Sequence, residues 1–158
     1  GREAGLRDPR PVELATLAEA VCAELGPLIL DKNLDFALDA TPGCIVTGQA
    51  EWLRVLIRNL VDNAIRYTPA GGLLRVAVAA KDKHCRLTVS DSGPGIPAGQ
   101  RDAVLRRFHR LDQGTQPGSG LGLAIVDRIA ELHGAQLELS DGVNAHGLEV
   151  TVAWKKPA

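Results

Sequence analysis

Two asparagines and an arginine lie along one predicted helix in a pattern that could bind a metal and a phosphate. Residues 49–67 have the apolar period of an amphipathic helix, and Leu60 is at the centre of its apolar stripe. Asn59, Asn63 and Arg66 lie on one flank of that stripe, at the border between core and solvent. Asparagine oxygens can ligate Mg²⁺, and a guanidinium forms charge-assisted hydrogen bonds with phosphate. Taken alone, the row is better explained by amides that bond neighbouring loops.

A carboxylate is placed where a predicted strand meets a glycine-rich turn. Asp91 directly follows the β-rich run 86–90, and Gly93 and Gly95 come next. Glycines let a ligand approach the backbone closely, and a carboxylate suits the amino group and ring nitrogen of adenine. A tight turn in which Asp91 bonds its own backbone explains this segment alone about as well.

A second glycine-rich segment opens another predicted helix, over residues 120–133. Unpaired N–H groups and the positive end of the helix dipole lie at such an N-terminus, so phosphate can bind there. A flexible turn with a serine N-cap is the alternative. Three alternating glycines exceed what a cap needs, so phosphate contact is preferred for Gly118, Ser119, Gly120, Leu121, Gly122 and Leu123.

Two other phosphate-binding motifs are excluded. The chain contains no GxxxxGK[ST], so it has no P-loop. Residues 93–98 match G-x-G-x-x-A, but Pro97 and the long loop after it do not supply the strand-to-helix turn of a Rossmann fingerprint.

The elements that must position these groups are predicted from the remaining pattern. Residues 92–119 are rich in glycine and proline, and a connection this long is typically functional or mobile. Alternating helical and hairpin-like segments predict an α/β fold, with a mixed sheet and helices on one face. The predicted helices cover residues 12–30, 49–67 and 120–133; the predicted strands cover 34–38, 44–47, 73–80, 86–90, 136–139 and 147–152.

Composition narrows the class of protein. The 158 residues carry a net charge of −1, which argues against a nucleic-acid-binding protein. No apolar run is long enough to span a bilayer, and no secretory signal opens the chain, so we expect a soluble segment. The three cysteines support neither a disulfide framework nor a CxxC metal site, and buried thiols are expected. Because the chain opens at Gly1, we expect a fragment of a longer parent.

Three segments, in this order, resemble the ATP-binding catalytic domain of bacterial sensor histidine kinases, within the superfamily that includes gyrase, the Hsp90 chaperones and MutL. Residues 59–69 resemble the N box, 91–96 the first glycine box and 118–126 the second. Residues 107–110, Arg-Phe-His-Arg, resemble the F box. The resemblance implies a two-layer Bergerat α/β sandwich with a mostly antiparallel mixed sheet. It also implies residues 1–11 as a linker from a preceding helical hairpin, and 12–158 as the ATP-binding domain.

The resemblance also implies the ligands ATP and Mg²⁺ and a role for each matched residue. Asn63 would hold Mg²⁺, and Asn59 and Arg66 would be the catalytic pair, with Arg66 on phosphate where the family commonly has lysine. Asn59 stands where some relatives carry a catalytic glutamate, and since an amide is no general base, phosphoryl transfer is favoured over hydrolysis. For the base, the resemblance implies that Tyr67 contacts the base or sugar, and that Asp91 bonds the adenine amino group. Gly93 and Gly95 would leave room for the ring, and Ile96 would line the pocket. Phe108 and Arg110 would belong to a mobile ATP lid over about 97–119.

The implied function is donation of the γ-phosphate to a histidine on the kinase's own dimerisation domain, for relay to a response regulator. The family's acceptor histidine is followed by an acidic residue, and none of His84, His109, His133 or His146 is. We therefore expect the acceptor domain to precede Gly1. We also expect a cytoplasmic domain, possibly monomeric, of a homodimeric parent anchored in the bacterial inner membrane, with no nucleic-acid partner.

Two alternatives stay open at this point. One is an anti-sigma-type serine kinase or an ATPase of the same superfamily. The other is a nucleotide-free interaction module. His109 stands where the F box commonly has tyrosine, and we expect His133 to make a capping or dipole interaction at a helix C-terminus.

Overall fold

A five-stranded sheet with helices packed on one face forms the body of the computed structural model, which describes residues 5–101, 103, 121–142 and 146–155. In chain order the elements are β1 (Arg10–Glu13), α1 (Leu14–Glu24), α2 (Gly26–Asp31), β2 (Asp35–Ala40), β3 (Ile45–Gly48), α3 (Ala50–Tyr67), β4 (Leu73–Lys81), β5 (His84–Asp91), a 3₁₀ turn (Ala98–Gln100), α4 (Leu121–Leu132), β6 (Gln136–Asp141) and β7 (Leu148–Lys155).

The sheet is mixed and mostly antiparallel, as predicted. Its strand order is β2-β4-β5-β7-β6, in which only the β2–β4 pair is parallel among the described strands. Alternate residues of the central strands face the helices, and these are the buried ones: Leu74, Val76, Val78, Cys85, Leu87, Val89, Val150, Val152 and Trp154. The predicted α/β sandwich is therefore confirmed.

Several predicted elements are confirmed with small shifts at their ends. The helix expected over 49–67 is α3, whose buried residues include the predicted stripe around Leu60. The expected hairpin is β4–β5, closed by the two-residue turn at Asp82 and Lys83, both with positive φ. All three cysteines are buried thiols, as expected.

The single helix predicted over residues 12–30 is wrong. Arg10–Glu13 instead forms β1, which pairs with β3 in a separate two-stranded sheet, with Arg10 opposite Gly48. The helical segment is also divided at Leu25. A new helix, α2, begins at Gly26, and Pro27, which lacks an N–H, lies in its first turn. The division of the chain between residues 11 and 12 stays a prediction, although β1 crosses that point.

His133 joins the end of α4 to the start of α3. Its Nδ1 lies 2.9 Å from the Ile129 carbonyl oxygen, which is the predicted capping contact, and its Nε2 accepts the Gln49 N–H at 3.2 Å. Because Nε2 accepts, the ring is neutral and carries its proton on Nδ1. Burial lowers the pKa of the imidazole, although the bond to Ile129 raises it.

The His133 contact predicts a fall in stability at mildly acidic pH. The unfolded chain binds a proton at His133 more readily than the folded chain, so the free energy of unfolding decreases as pH falls below about 6.5. Urea unfolding between pH 7.5 and 5.5 should show a smaller decrease in the His133→Gln variant. The control is His146→Gln, which replaces an exposed imidazole. Parallel decreases in wild type and His133→Gln would contradict this assignment.

Candidate functional site

The polar row on α3 lies where the sequence predicted it. Asn59 and Asn63 are half-buried beside the stripe of buried apolar residues. Asn59 donates its Nδ2 to the Val55 carbonyl oxygen of its own helix at 2.8 Å, whereas Asn63 Nδ2 is buried without a hydrogen-bond partner among the described residues. Neither amide bonds a neighbouring loop in the part of the chain that the structure describes. The loops that the structure describes therefore do not explain the row.

Arg66 lies at the exposed end of the row. Its Nε is 3.5 Å from Asp62 Oδ2, one helical turn earlier. A pair this exposed is held weakly, so the guanidinium can exchange Asp62 for another anion at little cost. Tyr67 follows as the last residue of α3, and its side chain is exposed.

Asp91 ends β5 and is 6% exposed. Its Oδ1 accepts two backbone N–H groups, from Gly93 at 2.8 Å and from Leu148 at 3.2 Å. The first contact is the local turn that was the alternative explanation of this segment. It accounts for only one of the two carboxylate oxygens, because no described residue donates to Oδ2.

The Asp91 carboxylate has no cationic partner among the described residues. Burial raises the pKa of this carboxyl, although the two N–H donors act in the opposite direction. A buried carboxyl without a counter-ion costs folding free energy, and such groups are concentrated at binding and catalytic sites. The free oxygen of Asp91 is therefore a candidate acceptor for a ligand.

The Asp91 turn packs directly against the end of α3. A Cβ on Gly93 would lie 2.5 Å from the Tyr67 carbonyl oxygen, so only glycine fits there. This contact explains the glycine whether or not a ligand binds. It also brings Asp91 next to the helix end that carries Asn63 and Arg66, so the first two predicted motifs converge.

Gly142, Gly147 and Leu148 form a further wall around Asp91 that the sequence did not predict. Gly147 has φ of +77°, and a Cβ there would lie 2.0 Å from the Asp91 carbonyl oxygen. A Cβ on Gly142 would lie 2.2 Å from the same oxygen. The only local signal was a pair of glycines before the last strand, because the partner of this segment is about fifty residues earlier in the chain.

Two side chains that were also not predicted hold the end of α3, and a third holds the Asp91 turn. Lys32 Nζ donates to the Ile65 and Arg66 carbonyl oxygens at 2.7 and 3.1 Å, which suits a cation at a helix C-terminus. Buried Thr68 donates Oγ1 to the Ala64 carbonyl oxygen at 2.6 Å. Ser92 Oγ accepts the Leu73 N–H at 2.8 Å and so ties the Asp91 turn to β4.

The third predicted motif is only partly within the described residues. Gly118, Ser119, Gly120 and the lid residues Phe108 and Arg110 lie outside them. Leu121 and Gly122 begin α4, Leu123 is buried in the core, and Ile96 is half-buried. Because α4 packs on α3 with its C-terminus beside Gln49, its N-terminus runs toward the half of α3 that carries Asn63.

The described residues contain no cluster of three or more histidine, cysteine, aspartate or glutamate side chains that could hold a metal ion. A cation at this site would therefore depend on amide oxygens and on oxygens of the ligand itself. No helix within the described ranges is both long and apolar enough to cross a bilayer.

Comparison with known proteins agrees with this arrangement. The family model of histidine kinase-, DNA gyrase B- and HSP90-like ATPases matches residues 48–158. The sensor protein kinase PmrB of Pseudomonas aeruginosa is 42% identical over 155 residues, which is 98% of this chain and 32% of PmrB. The chain thus spans about a third of the length of that relative.

Solved structures show the same fold. A mycobacterial sensor histidine kinase, MprB, superposes with a TM-score of 0.75 at 29% identity, over 95% of this chain and 99% of that one. Full-length ShkA in complex with AMPPNP superposes with a TM-score of 0.77 at 27% identity, over 95% of this chain and 31% of ShkA. The chain therefore belongs to the family of histidine kinase-, DNA gyrase B- and HSP90-like ATPases, as an ATP-binding catalytic domain of the sensor histidine kinase type.

Proposed function

We propose that this chain binds ATP with Mg²⁺ and donates the γ-phosphoryl group to a histidine on the dimerisation domain of its parent kinase. The observation that carries the proposal is the pairing of two unsatisfied groups. Within the part of the chain that the structure describes, no residue donates to Asp91 Oδ2 at the end of β5, and the turn that follows packs on the helix where Asn63 Nδ2 has no partner. AMPPNP, bound to the structural neighbour ShkA, is an ATP analogue.

The adenine end of ATP fits Asp91. The exocyclic amino group of adenine is a donor, and Oδ2 of the buried Asp91 is an acceptor to which no described residue donates. Such a charge-assisted bond is stronger than a neutral one. Tyr67, Gly93, Gly95 and Ile96 surround this position in the proposal.

The phosphate end fits the amide row and the N-terminus of α4. Asn63 would contribute its Oδ1 to Mg²⁺. Its Nδ2, which has no partner among the described residues, would be left to donate to a phosphate oxygen. When bound, Mg²⁺ would neutralise charge on the phosphates. Arg66 and residues 118–123 supply further phosphate contacts in this proposal.

The transfer itself is positioning chemistry. The bond between the γ-phosphorus and the β–γ bridging oxygen breaks, a bond from the γ-phosphorus to an imidazole nitrogen forms, and ADP leaves. The imidazole proton goes to a base on the acceptor domain. Asn59 cannot act as a general base for water, so the site favours transfer over hydrolysis.

The partners follow from the same proposal. The phosphohistidine domain would pass the group to a response regulator. The parent would be a membrane-anchored homodimer with this domain in the cytoplasm. Nucleic acid is not a proposed partner.

Phosphoryl transfer in trans tests the proposal. The 158-residue chain, incubated with Mg²⁺ and γ-³²P-labelled ATP, should label a separately purified helical hairpin that carries the parent's acceptor histidine, and should not label itself. The label on the hairpin should be lost in acid, as phosphohistidine is. Asn63→Ala should lower the rate of transfer at least about 10-fold by removing an interaction with the metal–phosphate group.

Two controls make the transfer experiment decisive. Asn33→Ala removes an asparagine from the turn before β2 and should transfer at the wild-type rate once folding is verified. Acid-stable label on a serine would instead support the serine-kinase alternative. Self-labelling of any of the four histidines, or absence of ATP binding in calorimetry, would refute the proposed function.

A further inference from the structure

A single side chain ties the segment after Asp91 to the end of β6. Arg101 donates Nε to the Ile96 carbonyl oxygen at 3.1 Å. Its Nη2 forms an ion pair with Asp141 Oδ1 at the end of β6. The Arg101 side chain is only 17% exposed, so this guanidinium is held more tightly than the surface cations of the chain.

Both segments that Arg101 joins also touch the Asp91 site. Asp141 is paired with Leu148 across β6 and β7, and Leu148 donates its N–H to Asp91 Oδ1. On the other side, a Cβ on Gly95 would lie 2.3 Å from the Gly147 carbonyl oxygen, so the Asp91 turn packs on the same segment. Arg101 therefore closes a ring of contacts around the carboxylate.

We propose that Arg101 is a positioning residue that fixes the Asp91 carboxylate for recognition of adenine, acting through Asp141 and the Ile96 carbonyl group. The inference rests on the proposed nucleotide binding but goes beyond it, because Arg101 does not touch the nucleotide. Without the guanidinium, the Ile96 carbonyl group and the end of β6 lose the link that Arg101 makes between them. The Leu148 N–H and the Gly95 contact then no longer hold Asp91 Oδ2 in one place.

Selectivity between purines separates this role from a general effect on stability. Inosine carries a carbonyl oxygen where adenine has its amino group, so ITP presents an acceptor to the Asp91 acceptor at that position. A domain that is merely less stable, but folded, keeps its ratio of ITP to ATP dissociation constants. A domain with a misplaced Asp91 loses affinity for ATP and keeps most of its affinity for ITP.

Calorimetric titration of the 158-residue chain with MgATP and MgITP tests the proposal. Arg101→Ala should weaken ATP binding about 10-fold and ITP binding less than about 2-fold, which is within the usual range of coupling between linked groups. Asp141→Asn removes the charge and keeps the shape of the side chain. Like Arg101→Ala, it should lower the ratio of the ITP dissociation constant to the ATP dissociation constant. The exchanged pair Arg101→Asp with Asp141→Arg should restore part of the selectivity, because it re-forms the ion pair but not the bond to the Ile96 carbonyl oxygen.

The matched control is Arg54→Ala, which removes an arginine–glutamate pair between α3 and α1. It should leave both dissociation constants unchanged. One outcome is that wild type binds ATP while both variants, Arg101→Ala and Asp141→Asn, keep the wild-type ratio of ITP to ATP dissociation constants. That outcome would refute the positioning role and leave the proposed function standing. If Arg101→Ala does not fold, Asp141→Asn alone decides the outcome. Wild type that binds neither nucleotide would refute the proposed function, and this inference with it.

Discussion

Replacing Asp91 with asparagine should weaken ATP binding about 100-fold while leaving the domain folded. The asparagine oxygen can still accept the N–H groups of Gly93 and Leu148 at the position of Oδ1. The amide nitrogen then replaces Oδ2 and points a donor at the adenine amino group, which is also a donor. Calorimetric titration of wild type and variant with MgATP measures the loss.

The same substitution should not lower stability at neutral pH. Burial raises the pKa of the Asp91 carboxyl, so the folded chain binds this proton more readily than the unfolded chain. The stability that this group contributes is therefore complete below about pH 4 and is lost as pH rises through the raised folded pKa. Asparagine does not titrate, so the variant should be at least as stable as wild type at pH 7 in urea unfolding.

The control for Asp91→Asn is Asp39→Asn, an identical change at an exposed carboxylate of β2. It should alter neither ATP affinity nor stability by a measurable amount. Wild-type ATP affinity in Asp91→Asn would refute the recognition of adenine by this residue. A large loss of stability would show instead that the carboxylate is retained for the fold.

Local pattern was sufficient for the parts of the site that lie on one element. The apolar period around Leu60 defines the buried side of α3 and so places Asn59 and Asn63 at its border. The β-rich run before Asp91 places that carboxylate at the end of a strand. In each case the positioning information lies within a few residues of the functional group.

Pairing between distant segments could not be predicted in the same way. Arg10 joins a strand because it pairs with Gly48, and nothing around Arg10 specifies that partner. Leu148 reaches Asp91 only because β7 lies beside β5 in a fixed register. The wall formed by Gly142, Gly147 and Leu148 and the Arg101–Asp141 link therefore became evident only from the three-dimensional arrangement.

Gly147 shows how strongly this distant segment is expected to matter. Gly147→Ala places a methyl group 2.0 Å from the Asp91 carbonyl oxygen and 2.7 Å from Asp91 Oδ1, at a φ that alanine adopts poorly. Relief of the overlap requires β5 and β7 to separate next to the carboxylate. We expect the free energy of unfolding in urea to fall by about 4 kcal/mol.

A matched variant distinguishes this overlap from ordinary backbone strain. Gly134 has φ of +68°, similar to the +77° of Gly147, but no atom lies within 4 Å of the position of its missing Cβ. Gly134→Ala should therefore cost only about 1 kcal/mol, the strain of a left-handed alanine. The difference between the two losses, about 3 kcal/mol, measures the contact with Asp91, since the backbone strain is common to both. Equal losses of unfolding free energy in the two variants would mean that Gly147 does not contact the Asp91 backbone. They would contradict the wall described around the carboxylate.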